Sequence, residues 1–505
     1  MSAVIAASDA SETPLFLVGG PFRDLLLNIS PSLDLDLVVE GDAIAVADKV
    51  AFALSRERGG GIHPDPVRVK AHPAFGTATI AIQSSAGVGA SLGDGGRAGG
   101  AAPRGGEGGP APRRTLTIDI ATARTETYAH PGALPKTTPA PIEQDLLRRD
   151  FTINAIALRL NSPNRGAWTG VRLDEILDPT NGLADLEARL IRILHAHSFQ
   201  DDPTRIIRAA RYAARLGFRI ERRTLTRLKR GTPYLSRISG ARLHRELTRI
   251  FEEPAPETTL RHLGRLGVLT AIHPALRFEH PETATVRRLR KLAVSHVGQG
   301  FTLLGATTRT SRAPSTLTLA TPQLVGQGFT LTPSARAAHW STLALRLTLA
   351  DAAALATRLA LTRPQRAAVE AMPQLRDKLS TLNFQLSTTR SALATLLTPF
   401  PLPALWAFAA ASTGIVPTQL LDYLTDARQI RPILSGDHLI VLGVPQGPAV
   451  GDILRRLHAA KLDGEVKTKT DEIRLVQTII KVGDLEGGMV VGQRLACEES
   501  TRAGL

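Results

Sequence analysis

Cysteine is nearly absent. One residue, Cys497, in 505 excludes a disulfide scaffold and a zinc site built on cysteine. Aromatic side chains are few, and lysine is scarce beside arginine, so the basic charge is mostly guanidinium charge. No long hydrophobic run is present. The longest, around 402–411, is interrupted by Pro403 and falls short of the roughly 20 apolar residues that cross a bilayer, so no membrane partner is expected. The first ten residues contain Asp9 and no basic stretch, so no secretory leader is expected there. What remains is a chain long enough for about three or four domains, with an ordinary 43% hydrophobic content. Its net charge of +15 attracts polyanions such as nucleic acid or an anionic membrane face. The expectation is a cytoplasmic, multidomain protein of a reducing compartment with an anionic partner.

Local pattern divides the chain unevenly. Residues 15–18 form a short apolar run ending at Gly19-Gly20, and Leu-Asp-Leu-Asp-Leu-Val-Val over 33–39 reads as a strand. Asp42 has the character of a helix N-cap before apolar residues at helical spacing over 43–54. Residues 77–82 and 116–121 read as two more strands that pair. Between them, 85–112 holds 11 glycines in 28 residues and reads as an expanded hairpin loop that cannot bury a core. Beyond about residue 160 strand signals fade, and 206–216, 225–228, 243–251 and 260–269 carry helical periodicity. Val-Gly-Gln-Gly-Phe-Thr-Leu at 297–303 recurs at 325–331, and two copies fall short of a solenoid. Turn clusters near 398–403 and 432–436 mark boundaries within the helical part.

Two carboxylates carry the first chemistry. Asp34 and Asp36 stand two apart in a strand, so period two puts both on one face and Leu35, Leu37 and Val39 on the other. Close carboxylates repel unless a cation lies between them, and hard oxygen ligands suit Mg²⁺, which binds one or two carboxylates plus substrate phosphates. In isolation such a pair also fits a solvated strand edge. Upstream, glycines 19 and 20 allow backbone N–H groups to approach a phosphate, and Arg23 offers a charge-assisted fork to it. A surface arginine after a tight turn is the plainer reading of that segment.

Taken in order, Leu17-Val-Gly-Gly-Pro-Phe-Arg-Asp-Leu-Leu-Leu and Asp34-Leu-Asp-Leu-Val-Val-Glu-Gly resemble the signature of the class II tRNA nucleotidyltransferase and bacterial poly(A) polymerase family, within the nucleotidyltransferase β superfamily. Further segments resemble its later motifs: Asp119–Tyr128, Asp145–Ala155, Asp178–Leu186 and Asp201–Arg211, with a tail-like segment over 434–448. The resemblance implies transfer of nucleotides from CTP and ATP to an RNA 3′ end, completing CCA on tRNA. Relatives that add only CC, only A or a poly(A) tail share the same head motifs, and a non-catalytic RNA-binding protein is the reading from another class. Asp34 and Asp36 would hold Mg²⁺. Asp119 is either a third catalytic carboxylate or a structural turn cap. The resemblance also assigns Arg149 to the triphosphate and Asp150 with Asn154 to the ribose.

Asp202 and Arg205, three apart, are neighbours if both lie on a helix. A carboxylate accepting from an exocyclic amino group and a guanidinium donating to a ring nitrogen match cytosine and adenine. Uracil and guanine reverse that pattern and leave both groups unpaired. Arg208 and Arg211 continue the row toward triphosphate or RNA. Three positions depart from the family pattern: Asp201 stands where a glutamate that orients the reading arginine is usual, Pro21 follows Gly20, and Ala241 replaces an acidic residue. No His-Asp doublet marks an appended phosphohydrolase.

The implied fold class is α+β: a nucleotidyltransferase head with a small mixed sheet over 1–160, then an all-α neck (161–281), body (282–430) and tRNA-binding tail (431–505). No obligatory protein partner is evident. The excess charge is local: 13 arginines and Lys229 against Glu221 and Glu246 over 205–249 form a basic stripe suited to an RNA end.

Overall fold

The computed structural model describes residues 13–29, 34–57, 67–84, 114–161, 172–295, 333–380, 389–413 and 415–481, with short pieces elsewhere. The glycine-rich segment 85–112 and nearly all of the duplicated heptapeptide lie outside the described residues. Two compact units result. One comprises Met1–Phe278, Leu303–Thr330 and Arg358–Ala360; the other comprises Glu279–Thr302, Leu331–Thr357 and Leu361–Leu505.

The first unit is built on a mixed seven-stranded sheet. In chain order its strands are β1 (Leu15–Val18), β2 (Asp34–Val39), β3 (Val67–His72), β4 (Thr77–Ser84), β5 (Arg114–Thr122), then, after the β6–β7 ribbon (Arg124–Thr127, Lys136–Pro139), β8 (Ala157–Arg159) and β9 (Ile176–Leu177). Spatial order is β3-β4-β5-β2-β1-β8-β9. Only β2 and β5 pair in parallel, with Asp36 opposite Asp119 and Leu37 opposite Ile120. Register therefore separates the faces. Leu37, Val39, Ile118 and Ile120 are buried on one; Asp36 and Asp119 share the other. Helix α1 (Gly19–Leu26) follows β1 directly, and Pro21 sits in its first turn, where a missing N–H costs no helical bond. Helix α2 (Ala43–Glu57) starts at Asp42, whose Oδ1 accepts from the N–H groups of Ile44 and Ala45.

Past residue 160 the chain is mainly helical, as the periodicity predicts, but β9 and a two-strand ribbon, β10 (Leu190–Ile191) with β11 (Arg219–Ile220), add extended pieces too short to leave a pattern. In chain order the helices of this unit are α3 (Ile142–Leu147), α4 (Gly182–Glu187), α5 (Ser198–Asp201), α6 (Thr204–Leu216), α7 (Arg222–Gly231), α8 (Gly240–Phe251), α9 (Pro256–Arg265) and α10 (Val268–Ile272). The periodic stretch 260–269 is two helices rather than one, because Gly267 at φ 73° turns the chain between α9 and α10.

The second unit is helical throughout its longer elements. Helix α16 (Leu402–Ala411), which follows α11 (His280–Ser295), α12 (Pro333–Thr342), α13 (Leu349–Arg358), α14 (Arg363–Ser380) and α15 (Arg390–Leu397), packs against α11, α12, α14 and α17 (Ile415–Thr425). It is apolar all round, as a central core helix is, and buries Trp406 at 2% exposure. Among the described residues no single helix is long and apolar enough to cross a membrane. At the C-terminal end, α18 (Gly436–Val441), α19 (Pro448–Leu462) and α20 (Lys469–Lys481) enclose Leu439, Ile453, Leu457 and Val476. The fully buried Glu472 ties them together, accepting from the N–H groups of Ile433 and Leu434 and from Lys461 Nζ at 2.8 Å.

The Asp178–Leu186 segment buttresses the 151–154 turn. Asp178 accepts from the N–H groups of Gly182 and Leu183, and Asp185 accepts from Thr152 Oγ1 at 2.6 Å and from Arg192. A Cβ on Gly182 would lie 2.2 Å from the Thr152 carbonyl oxygen. Gly182→Ala is therefore expected to destabilise this unit by about 1–3 kcal/mol, read as a lowered denaturation midpoint; an unchanged midpoint contradicts the packing argument.

Candidate active site

A pocket of about 530 Å³ opens in the first unit. Gly19, Gly20 and Asp36 supply one wall from α1 and β2, and Arg149, Asp150 and Asn154 another from the turn after α3. Asp202, Arg205, Arg208 and Arg211 line it from the start and face of α6. Ten of the thirteen residues singled out from the sequence thus meet in one cavity. Asp119 stands beside it, in register with Asp36, and its Oδ1 accepts from Thr79 Oγ1 at 2.5 Å. Asp34 opens β2, paired with Thr117.

Arg23 departs from its expected role. Its side chain is 1% exposed and does not line the pocket. Nε and a terminal nitrogen bind Asp24, and the other terminal nitrogen donates to Asn154 Oδ1 at 2.6 Å. Motif spacing carries no burial information, and here burial turns a phosphate fork into a support. The support continues: Asn154 Nδ2 donates to Asp150 Oδ1 at 2.9 Å, and Arg208 grips Asp150 Oδ2 through two nitrogens at 2.8 and 2.5 Å.

Asp202 also differs from expectation. It precedes α6 with an extended backbone (φ −131°, ψ 93°), because Pro203 starts the helix after it. The i, i+3 helix pair with Arg205 does not form. Instead Asp202 Oδ1 accepts from the Thr204 N–H and hydroxyl and from Arg242 at 2.7 Å. Nor does Asp201 support Arg205; it faces His195 Nδ1 at 3.8 Å. Arg205 is held by Ser198 Oγ at 2.7 Å and the Arg148 carbonyl at 2.6 Å, which leaves three of its five N–H groups for a ligand.

Sequence reasoning missed a third wall. Arg242, Arg245, Glu246 and Arg249 of α8 line the pocket, with Glu126, Tyr128, Arg148, Thr204 and Tyr212. The α8 residues fall at i, i+3, i+4 and i+7, one helical face, so spacing held a usable signal. Eight arginines against five carboxylates leave the lining cationic, suited to a polyphosphate.

The ion pairs set protonation. Burial alone would raise the Asp150 carboxyl, but the Arg208 guanidinium and the Asn154 hydrogen bond overcome it and hold it down to about 2. Burial likewise pushes the Tyr212 hydroxyl up, and Arg208, Arg211 and Arg23 around its ring more than reverse this. The three guanidinium carbons stand 4.8–5.5 Å from that ring's centre. Tyr128 moves the other way, raised by burial and by the Glu126 carboxylate that accepts its hydroxyl at 2.7 Å.

Glycine at position 19 is required twice over. Its φ is +68°, and a Cβ there would lie 2.9 Å from the guanidinium of Arg149. The carboxylates fit a hard cation: both Asp36 and Asp119 are exposed oxygen donors on adjacent strands. Among the described residues no group of three His, Cys, Asp or Glu converges on a metal-sized point. Two neighbouring carboxylates are the donor set of a hard divalent cation whose remaining positions are filled by phosphate oxygens and water.

Comparison with known proteins agrees with this geometry. Residues 110–192 match the "Poly A polymerase head domain" family, and residues 217–279 match the "Probable RNA and SrmB-binding site of polymerase A". An A-adding tRNA nucleotidyltransferase of Halalkalibacterium halodurans is 31% identical over 466 residues, 92% of this chain and 88% of its own. An A-adding tRNA nucleotidyltransferase of Geobacter sulfurreducens is 31% identical over 92% of this chain, which spans only 45% of that relative's length. Among solved structures, apo form II of a CCA-adding enzyme superposes with a TM-score of 0.65 at 26% identity, over 94% of both chains.

Asp150 depends on its charge. Its folded value lies near 2 against about 3.9 in an unfolded chain, so its contribution is complete above pH ~4 and is lost as pH falls toward 2. Asp150→Asn strands a buried Arg208 and is expected to cost about 3–5 kcal/mol at pH 7. The gap to wild type, read from urea midpoints, closes as pH falls from about 4 toward 2; a pH-independent gap contradicts the pairing.

Proposed function

Since the chain belongs to the tRNA nucleotidyltransferase family, we propose that it adds the nucleotides of the CCA end to the 3′ terminus of tRNA without a template. CTP and ATP are the donors and pyrophosphate leaves. The observation that carries this reading is one pocket holding a strand carboxylate (Asp36), a glycine turn against an arginine (Gly19, Gly20, Arg149) and a carboxylate–guanidinium pair (Asp202, Arg205). These correspond to the three parts of a nucleoside triphosphate reaction: the reacting phosphorus, the polyphosphate and the base.

In the proposed reaction the RNA 3′-hydroxyl oxygen bonds to the α-phosphorus while the bond to the bridging oxygen of the β-phosphate breaks. Such in-line transfer needs positioning and charge neutralisation more than covalent help. Arg149 and the N–H groups of the Gly19-Gly20 turn receive the triphosphate. Asp150 and Asn154 hold the ribose, their orientation fixed by Arg208 and Arg23. Asp202 accepts from the exocyclic amino group of cytosine or adenine, and Arg205 donates to the ring nitrogen. Arg211, tied to Glu253, adds positive potential at the polyphosphate side. Asp34 and Asp36, with Asp119 as a candidate third carboxylate, would hold Mg²⁺, which when bound supplies Lewis-acid activation of the hydroxyl and neutralises charge on the leaving pyrophosphate. Exposed Arg219, Arg222, Arg223, Arg227, Lys229 and Arg230, inside the segment matching an RNA-binding family, would engage the RNA backbone by charge and shape.

Addition of A alone is the second reading. It is favoured by the names of the two relatives that align over 92% of this chain. One assay separates the two: the protein, Mg²⁺, CTP and ATP are mixed with tRNA ending before CCA, and in parallel with tRNA ending in CC. Three additions to the first acceptor support CCA addition, extension of the second alone supports A addition, and extension of neither rejects both. Asp36→Asn is expected to slow addition at least about hundredfold. Asp202→Ala is expected to admit UTP or GTP, and unchanged selectivity would remove Asp202 from base reading.

A further inference from the structure

Asp145 is the most heavily used carboxylate near the pocket, yet it does not line it. It lies in α3 with its side chain at 0% exposure. Oδ1 accepts from Nε and a terminal nitrogen of Arg148 at 2.9 and 2.6 Å, and from the backbone N–H of Arg124 at 3.2 Å. Oδ2 accepts from Nε and a terminal nitrogen of Arg149 at 3.2 and 2.9 Å. Two forked arginines and a strand amide thus converge on one group.

Each arginine leads to a different part of the pocket. Arg149 reaches the glycine turn, where its guanidinium leaves no room for a Cβ on Gly19. Arg148 offers its main-chain carbonyl to Arg205 at 2.6 Å, and its side chain also bonds Glu126 at 2.7 Å. Asp201, turned toward His195, gives Arg205 no support. The orientation of Arg205 therefore rests on Ser198 and on a carbonyl whose own residue is pinned by Asp145.

We propose that Asp145 is a positioning residue that couples polyphosphate binding to nucleobase selection, by fixing Arg149 directly and Arg205 through the Arg148 carbonyl. This rests on the roles proposed above for Arg149 and Arg205. Burial would raise the Asp145 carboxyl, but the two arginines outweigh it and keep the group ionised, as double fork binding requires. Loss of the charge releases both arginines together, and displacements of about 1 Å in a positioned site cost up to about a hundredfold in rate.

The test is Asp145→Asn, which keeps shape and removes charge. Wild type is first assayed with ATP, CTP, UTP and GTP on the same tRNA acceptor. If wild type shows no base preference, the roles of Asp202 and Arg205 fail before the variant is considered. Given a preference, the variant is expected to raise KM for the favoured nucleotide roughly tenfold or more and the relative use of UTP or GTP by a similar factor, with a smaller change in kcat. A lowered Tm with an unchanged nucleotide ratio assigns Asp145 a purely structural role and overturns the proposal. If the asparagine variant does not fold, Arg148→Gln decides: it keeps the carbonyl but frees it from Asp145, and an unchanged ratio again overturns the proposal.

Discussion

Taking an arginine out of water is costly unless a partner offsets it, and carboxylate partners organise most of this pocket. Breaking a buried ion pair by removing one partner costs about 3–5 kcal/mol, because the remaining charge stays buried. The lining carries eight arginines, and four of them have a fixed carboxylate partner: Arg208 on Asp150, Arg211 on Glu253, Arg242 on Asp202 and Arg149 on Asp145; Arg205, more buried than any of these, is held instead by Ser198 and the Arg148 carbonyl. Each carboxylate partner sits on a different element from its arginine, except Asp145. The ion pairs therefore hold the 145–150 segment and the helices α6 and α8 in one arrangement. Without them the same cationic charge would repel itself and open the cavity.

Backbone geometry supplies the second condition, close approach. The β1–α1 junction has no loop: the strand ends at Val18 and the helix begins at Gly19 in a left-handed conformation. Only glycine accepts that φ without strain while leaving room for the Arg149 guanidinium. On the sheet, the parallel pairing of β2 with β5 is what sets Asp36 beside Asp119. A one-residue slip would turn every carboxylate into the core and Leu37 and Ile120 out of it. The burial of those two, at 1% and 0% exposure, thereby fixes where the carboxylates face.

Features that depend on short-range pattern were legible in the sequence. Period two placed Asp34 and Asp36 on one strand, Asp42 announced its helix, and the apolar spacing of α6 and α8 gave their extents to within a few residues. Features that depend on who is buried beside whom were not. Nothing in Gly-Gly-Pro-Phe-Arg-Asp distinguishes an arginine aimed at a phosphate from one enclosed against Asp24, Asn154 and Tyr212. Asp202 was misplaced for a different reason: three-residue spacing suggests a helical pair, but Pro203 makes the residue before it extended. Glu126 and Tyr128 lie in a threonine-rich ribbon whose pattern gives no reason to single them out, and their link to Arg148 spans 22 positions in the chain.

Selection of a base without a template asks more of rigidity than of affinity. Cytosine and adenine differ from uracil and guanine, for a carboxylate and a guanidinium, only in which edge atoms donate. A flexible pair could rotate to suit either pattern. Asp202 is denied that freedom because three donors converge on Oδ1, and Arg205 is denied it by Ser198 and the Arg148 carbonyl. Under the proposed function a mismatched base would meet groups that cannot turn, and each buried group left unpaired would cost about 1–3 kcal/mol, more when charged. Those restraints are hydrogen bonds within the protein, so discrimination would rest on groups that the fold itself holds in place. On the same reading, the hydrogen bonds and the one Arg242 ion pair that hold Asp202 and Arg205 are what would make these two side chains a reading surface.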